Sequence, residues 1–237
     1  AAPEIGSRSR PGRRKLRKAG FVISPEGLRP PLPTPCRHVE VLQMNVSPLF
    51  QPLEIGRLTL KNRFVMAPMS VHMTEDGSVT DKEIAFIERR AAGGAAMLII
   101  GSICVRPDGN FGGQLFIEDD GRIEGLRRLT DAIHRHDCLA AAQIHHAGRE
   151  TSMRTSGYRP VAPSPFPPET VAGLQAEYDP PHAMSTEEVR DMVECYAQGV
   201  RRARDAGFDM CELHCAHGYL ISEFMSPLTN RRTDEYG

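Results

Sequence analysis

Four short apolar runs, separated by segments with helical spacing, limit this 237-residue chain to a few architectures. The runs are Asn62 to Met66, Ala95 to Ile103, Leu139 to Ile144 and Phe208 to His214. The second lacks polar alternation, as expected of a strand buried on both faces. Between them, Thr80-Asp81-Lys82-Glu83 has the form of a capping box and opens a helix with Ile84, Ile87 and Ala91 inward, ended by Gly93-Gly94. Residues 122–136 place Ile123, Leu126, Leu129 and Ile133 on one helical face. Ser185-Thr186-Glu187-Glu188 forms another capping box, followed by Val189, Met192, Val193, Tyr196, Val200 and Ala203 on one side and a stop at Gly207. Such alternation predicts an α/β fold with a parallel sheet and helical crossovers. An open doubly wound sheet and an eight-stranded barrel both satisfy it. The Gly-x-Gly-x-x-Gly turn that would favour the dinucleotide sheet is absent. Polar and aromatic residues follow the first, third and fourth strands, where a barrel keeps its chemistry, so the pattern leans to a barrel of which four units are half.

Ahead of the first strand, Leu53-Glu54-Ile55 and Leu58-Thr59-Leu60 flank Gly56-Arg57 as a short hairpin. Residues 1–43 are different in kind. They hold nine Lys/Arg against three Glu, a charge of +6 that leaves −7 on the rest of a chain whose net is −1, and are dense in proline. Without an apolar period this leader is expected to be disordered. A targeting peptide and a nucleic-acid arm are weaker explanations than a start at Met44, with 1–43 upstream read-through. The acidic remainder gives no reason to expect nucleic acid. No apolar run nears the roughly 18 residues of a membrane helix. Six cysteines at irregular spacing read as reduced thiols of a cytoplasmic protein. The Pro-rich stretch from His145 to Ala183 is too long for a mere connector and is expected to be a functional loop.

The densest chemical cluster is Cys211-Glu212-Leu213-His214-Cys215-Ala216-His217-Gly218-Tyr219. Zinc is one explanation, but strand alternation sends Cys211 and His214 to opposite faces, and no second Cys/His pair follows at finger spacing. No metal is expected. The bland alternative, histidines that merely cap a buried strand, leaves unexplained why two His and one Tyr gather just past it.

At these residues the chain resembles the Old Yellow Enzyme family of NADH:flavin oxidoreductases. The likeness runs through His214, His217, Gly218, Tyr219, Phe224, Ser226-Pro227, Asn230, Arg232, Asp234 and Tyr236-Gly237. It extends to Leu49-Phe50, Leu60-Lys61-Asn62-Arg63, Ala67-Pro68-Met69, Gln143 and His146-Ala147-Gly148-Arg149, covering about residues 47–237 in the family's order. The resemblance implies a (β/α)8 TIM barrel holding FMN, reduced by NADH or NADPH, with residues 44–237 forming its N-terminal half and the hairpin a lid. It implies that Ala67, Pro68, Met69 and Ser70 line the flavin ring, that Ser102 approaches it, and that the Gln143 amide bonds its pyrimidine edge. His214 and His217 would hold a substrate oxygen, His72 would border the substrate, and Tyr219 would deliver a proton. The substrate would be a small unsaturated carbonyl compound or thioester. An oligomer is compatible with this, and neither nucleic acid nor membrane is an expected partner. Some relatives have cysteine where this chain has Ser70, and tyrosine where it has His72. Strands five to eight, with the family's basic flavin contact and phosphate-binding turn, are absent before the end at Gly237. Any iron–sulfur cluster or FAD would belong to the missing C-terminal part. An amine-dehydrogenase-like flavoenzyme, whose branch typically does not keep the His214/His217 pair, or an inactive fragment, is the rival expectation.

Overall fold

The computed structural model describes residues 45–74, 76–165 and 179–237; the leader and its expected disorder lie outside the described residues, as does the middle of the Pro-rich stretch. Strands β1 (Leu53–Ile55) and β2 (Leu58–Leu60) pair antiparallel across Gly56, whose φ of 59° suits glycine. Next come β3 (Val65–Met66), α1 (Asp81–Ala91), β4 (Met97–Cys104), β5 (Leu115–Phe116), α2 (Ile123–His134) and β6 (Leu139–His145). The Pro-rich stretch contributes α3 (Met153–Ser156), β7 (Val161–Ala162) and β8 (His182–Ala183), and the chain continues through α4 (Thr186–Asp205), β9 (Met210–Leu213) and α5 (Leu220–Met225).

The main sheet runs β3-β4-β6-β9, all parallel, with β5 added to the end of β4. Each new strand joins the same edge in chain order. A doubly wound sheet must reverse that order at a switch point, whereas a barrel adds strands around an arc. The alternative left open by the sequence is thereby decided for the barrel.

Strand parity sorts the core into two layers. Leu98, Ile100, Ala140, Ala142 and Ile144 face the helices, packing with Ile87, Leu126, Leu129, Ile133, Val189 and Ala203. Met97 and Ala141 face the other way and pack with Leu60 of the hairpin. Because Met97 begins β4, the hairpin covers the N-terminal end of the strands. Gln143 and His145 share the parity of Ala141 and so lie on the inner face, at the opposite end.

Two expected details are corrected. Thr80 does cap α1, accepting from the Glu83 N–H at 3.2 Å, but Glu83 returns no bond to the cap and is buried. The capping box is complete at Ser185, where Glu188 also accepts from the Ser185 N–H at 2.7 Å. On α4, Val193 and Val200 are exposed, while Val189, Met192, Gly199 and Ala203 carry the buried face. Gly199 takes that place because a Cβ there would lie 3.0 Å from Val105.

Candidate functional site

The residues singled out in the sequence sit on loops at the C-terminal ends of the strands. After β9 the chain turns through His217 and Gly218, both left-handed at φ 61° and 75°. For a histidine this region is uncommon, and such residues persist where surrounding structure fixes them. The turn folds Tyr219 back until its ring lies edge-on to His214, with centroids 4.9 Å apart. His217 Nδ1 comes within 3.4 Å of His214 Nε2.

Local donors set the tautomers of this pair. His214 Nδ1 accepts from the Ala216 N–H at 3.4 Å, so the proton of a neutral ring lies on Nε2. That N–H points at His217 Nδ1. Burial first, then His217, holds His214 below the ordinary imidazole range, favouring the neutral ring. Burial and nearby Glu150 push the Tyr219 phenol up, keeping its O–H intact at neutral pH.

Three further residues join the cluster without having been singled out in the sequence. Phe111, in the loop between β4 and β5, stacks on Tyr219 at 5.8 Å and 9°. His145 is fully buried, edge-on to Tyr219 at 4.4 Å and to Phe111 at 5.2 Å. Among the described residues neither of its ring nitrogens has a partner. Burial, with His146 and His214 adding to it, holds its pKa down to about 2, so it is neutral. The third residue is Gln114, buried, whose side-chain oxygen accepts from the Phe111 N–H at 2.9 Å.

Gln114 ties this cluster to the segment after β3. Its Nε2 donates to Ser102 Oγ at 2.6 Å, and the Ser102 N–H donates to Ser70 Oγ at 3.2 Å. The pairing of β4 with β6 shifts register between Ile100 and Ile103, and that irregularity presents Ser102 to Ser70. The buried Gln143 donates from Nε2 to Glu212 Oε1 at 2.6 Å. It lies against Gly101, where a Cβ would come 2.6 Å from Gln143 Cβ and 3.4 Å from Pro68 Cβ. Ala67 and Met69 are exposed, Met69 at 67%. His72, left-handed at φ 50°, is also exposed and meets Phe111 at 6.3 Å. The chain Ser70–Ser102–Gln114–Phe111–Tyr219–His214–His217 therefore joins two groups of residues that lie far apart in sequence.

A shelf of exposed Ala67 and Met69 with half-buried Pro68, beside an amide and two hydroxyls, suits a flat ring with a polar edge. The residues present thus fit the ring of a flavin. Among the described residues no three His, Cys, Asp or Glu side chains gather as a metal site, and the five cysteines there are free thiols.

Residues 48–237 match the model of the NADH:flavin oxidoreductase / NADH oxidase family. A metal reductase of Desulforamulus reducens is 41% identical over 192 residues, covering 81% of this chain and 28% of that protein. An NADPH dehydrogenase of Bacillus cytotoxicus is also 41% identical over 192 residues, covering 80% and 53%. In three dimensions an old yellow enzyme homologue from Zymomonas mobilis superposes with a TM-score of 0.71 at 34% identity, over 80% of this chain and 54% of that one. This chain thus spans about half, or less, of the relatives it matches, and its sequential sheet is the first half of a TIM barrel. On the family match and the shared half-barrel, the chain belongs to the NADH:flavin oxidoreductase / NADH oxidase family, within its Old Yellow Enzyme group.

Proposed function

We propose that the complete protein carries FMN, takes electrons from NADH or NADPH, and reduces the activated C=C bond of an α,β-unsaturated carbonyl compound or thioester. The observation that carries this reading is the His214/His217 pair, 3.4 Å apart, with the Tyr219 ring 4.9 Å from His214. Bound flavin supplies hydride to the β-carbon of the alkene. Ala67, Pro68, Met69 and Ser70 would hold the ring's apolar face, with Ser102 and the Gln143 amide at its polar edge. His72 would border the substrate.

Hydride addition builds negative charge on the carbonyl oxygen. Imidazole N–H donors from His214 and His217 stabilise that oxygen where charge develops, the His214 Nε2–H exchanging its bond to His217 Nδ1 for the substrate oxygen. Burial holds His214 toward its neutral form. The α-carbon then needs a proton, and the Tyr219 O–H is the acid beside the pair. Buried His145 and the stacked Phe111 hold the phenol in place and keep water from its ring faces.

The test uses the full-length protein loaded with FMN. Under anaerobic conditions NADH or NADPH should bleach the flavin absorbance, and 2-cyclohexenone should restore it with formation of cyclohexanone. Bleached enzyme that reoxidises with dioxygen but never with an enone would defeat the proposal.

A further inference from the structure

Beside the His217–Tyr219 turn lies an open cleft lined by Arg149, Gly218, Ser222, Glu223, Ser226 and Arg231. Gly218 belongs both to this cleft and to the turn that sets Tyr219, so the two sites share a wall. Arg149 is paired with Glu150, Nε to Oε1 at 3.1 Å, which makes that pair neutral overall. Arg231 is exposed; its backbone N–H donates to Ser164 Oγ at 2.9 Å, and among the described residues its guanidinium has no acidic partner.

Glu223 is only 1% exposed. Its Oε1 accepts from the Arg149 N–H at 2.9 Å, while its Oε2 has no partner among the described residues. Gly148 makes room for this carboxyl: a Cβ there would lie 2.2 Å from Glu223 Oε1. Burial pushes the Glu223 pKa up to about 8, so at neutral pH it presents an O–H. Ser226 Oγ already accepts from the Leu228 N–H, which leaves its hydroxyl proton to donate. The cleft therefore combines one uncompensated positive charge with several hydroxyl donors. That set suits an oxyanion.

We propose that this cleft binds the anionic tail of the unsaturated substrate, a carboxylate or a phosphate, with Arg231 supplying the charge and Glu223, Ser222 and Ser226 supplying O–H donors. The inference rests on the ene-reductase reading above and adds the substrate class.

Its test has two independent parts, both on the full-length FMN-loaded protein. Inorganic phosphate and acetate are titrated separately, with ³¹P and ¹³C line broadening as the readout, so that the two tail chemistries are told apart. Broadening of one or both is expected, and it should weaken about tenfold in Arg231→Gln, the loss of one charge-assisted contact. Enones with carboxylate, phosphate or uncharged tails are then compared. In Arg231→Gln the preference in kcat/KM for the anionic over the uncharged tail should fall by about the same factor. In the unsubstituted protein anion binding should weaken above pH 8, as Glu223 ionises among Arg149, Glu150 and Tyr196. Glu223→Gln keeps an uncharged donor and should hold its affinity there. Absence of broadening for both anions, or an Arg231→Gln protein with unchanged tail preference, would overturn the proposal. Anion binding that needs Arg231 in a protein that turns over no enone would keep the cleft and sink the ene-reductase reading instead.

Discussion

At the residue scale the candidate chemistry divides between two kinds of group, and substitutions should separate them. Tyr219→Phe removes only the O–H and keeps the ring that packs on His145 and Phe111. The nicotinamide half-reaction needs no proton from Tyr219 and should stay near wild type, while alkene turnover falls by roughly 10²–10⁴. His214→Ala removes an oxygen donor, so carbonyl ligands should bind more weakly and hydride transfer to the alkene should slow by about 10²–10³. Stopped-flow absorbance of each half-reaction in the full-length protein reads both; a Tyr219→Phe protein slowed only in the nicotinamide step would refute the assignment. A second prediction concerns Gly101. A methyl group there would meet Gln143 Cβ at 2.6 Å, so Gly101→Ala should displace the Gln143 amide, cost about 1–3 kcal/mol and lower flavin content on purification. His214, His217 and Tyr219 were legible because they crowd within six residues after one strand. Phe111 and Gln114 were not, since the loop that holds them has no period to mark it. His145 could have been found: it shares strand parity with Gln143, which places both on the inner face.

Elements were legible where a period and a cap agreed. The helix over 122–136 is observed as Ile123–His134, and the one starting after Ser185 as Thr186–Asp205, with the cap as expected. Where the pattern misled, packing had overridden it. Glu83 sits three residues after Thr80, the spacing of a capping box, yet its side chain is buried among Met66, Ser70, Ile87 and Gly101. Val193 and Val200 continue the apolar spacing of α4, but the α4 surface that meets Val105, Ile117 and Ile144 is centred on Gly199. No spacing rule assigns a buried face to glycine. The two caps make a comparison. Ser185→Ala removes both the side-chain acceptor for the Glu188 N–H and the geometry of the returning carboxylate, and should cost about 1–2 kcal/mol in urea unfolding. Thr80→Ala loses the acceptor for the Glu83 N–H and also the bond that Thr80 Oγ1 donates to the Met73 carbonyl at 3.1 Å, so it should cost a similar amount, about 1–2 kcal/mol. A Thr80→Ala protein with the wild-type urea midpoint would show that neither bond contributes.

At the scale of the whole molecule, the strand order was legible only as a choice of two closures, because alternation of elements does not say which edge each strand joins. The sequential β3-β4-β6-β9 order resolves it, and the match to about half of a barrel enzyme explains why β3 and β9 lie at open edges among the described residues. Expressed alone, this half-barrel should hold flavin weakly and self-associate; stoichiometric yellow cofactor on a monomer would contradict that. Stability of the full-length protein should also depend on pH through its buried acids. Burial raises Glu83 from 4.5 to about 7 and Glu223 to about 8. In the unfolded chain both ionise near the ordinary glutamate value of about 4.3. Between that value and the folded one, the unfolded state has lost protons that the folded state keeps. The contribution of these two acids to stability therefore falls as pH rises through that window and levels off above pH 8, where both states are ionised. The opposite trend comes from Glu188, which the Ser185 N–H first and His182 next hold below the glutamate range; its contribution appears above the unfolded value and is lost in acid. Because the Glu188 side chain is 46% exposed, screening keeps that contribution small. The buried His145 and His146, both held below the imidazole range by burial, oppose the two acids below about pH 6.5, where the unfolded histidines take up protons that the folded ones refuse. Glu83→Gln leaves the site's His214, His217 and Tyr219 untouched and removes one of the two. Urea midpoints of the FMN-loaded protein measured from pH 5 to 8 should fall for wild type relative to Glu83→Gln as the pH rises to about 7, since the histidines contribute equally to both. A wild-type midpoint that keeps a constant distance from that of Glu83→Gln across this range would show that Glu83 is ionised in the folded protein, and so is partnered or solvated rather than buried alone.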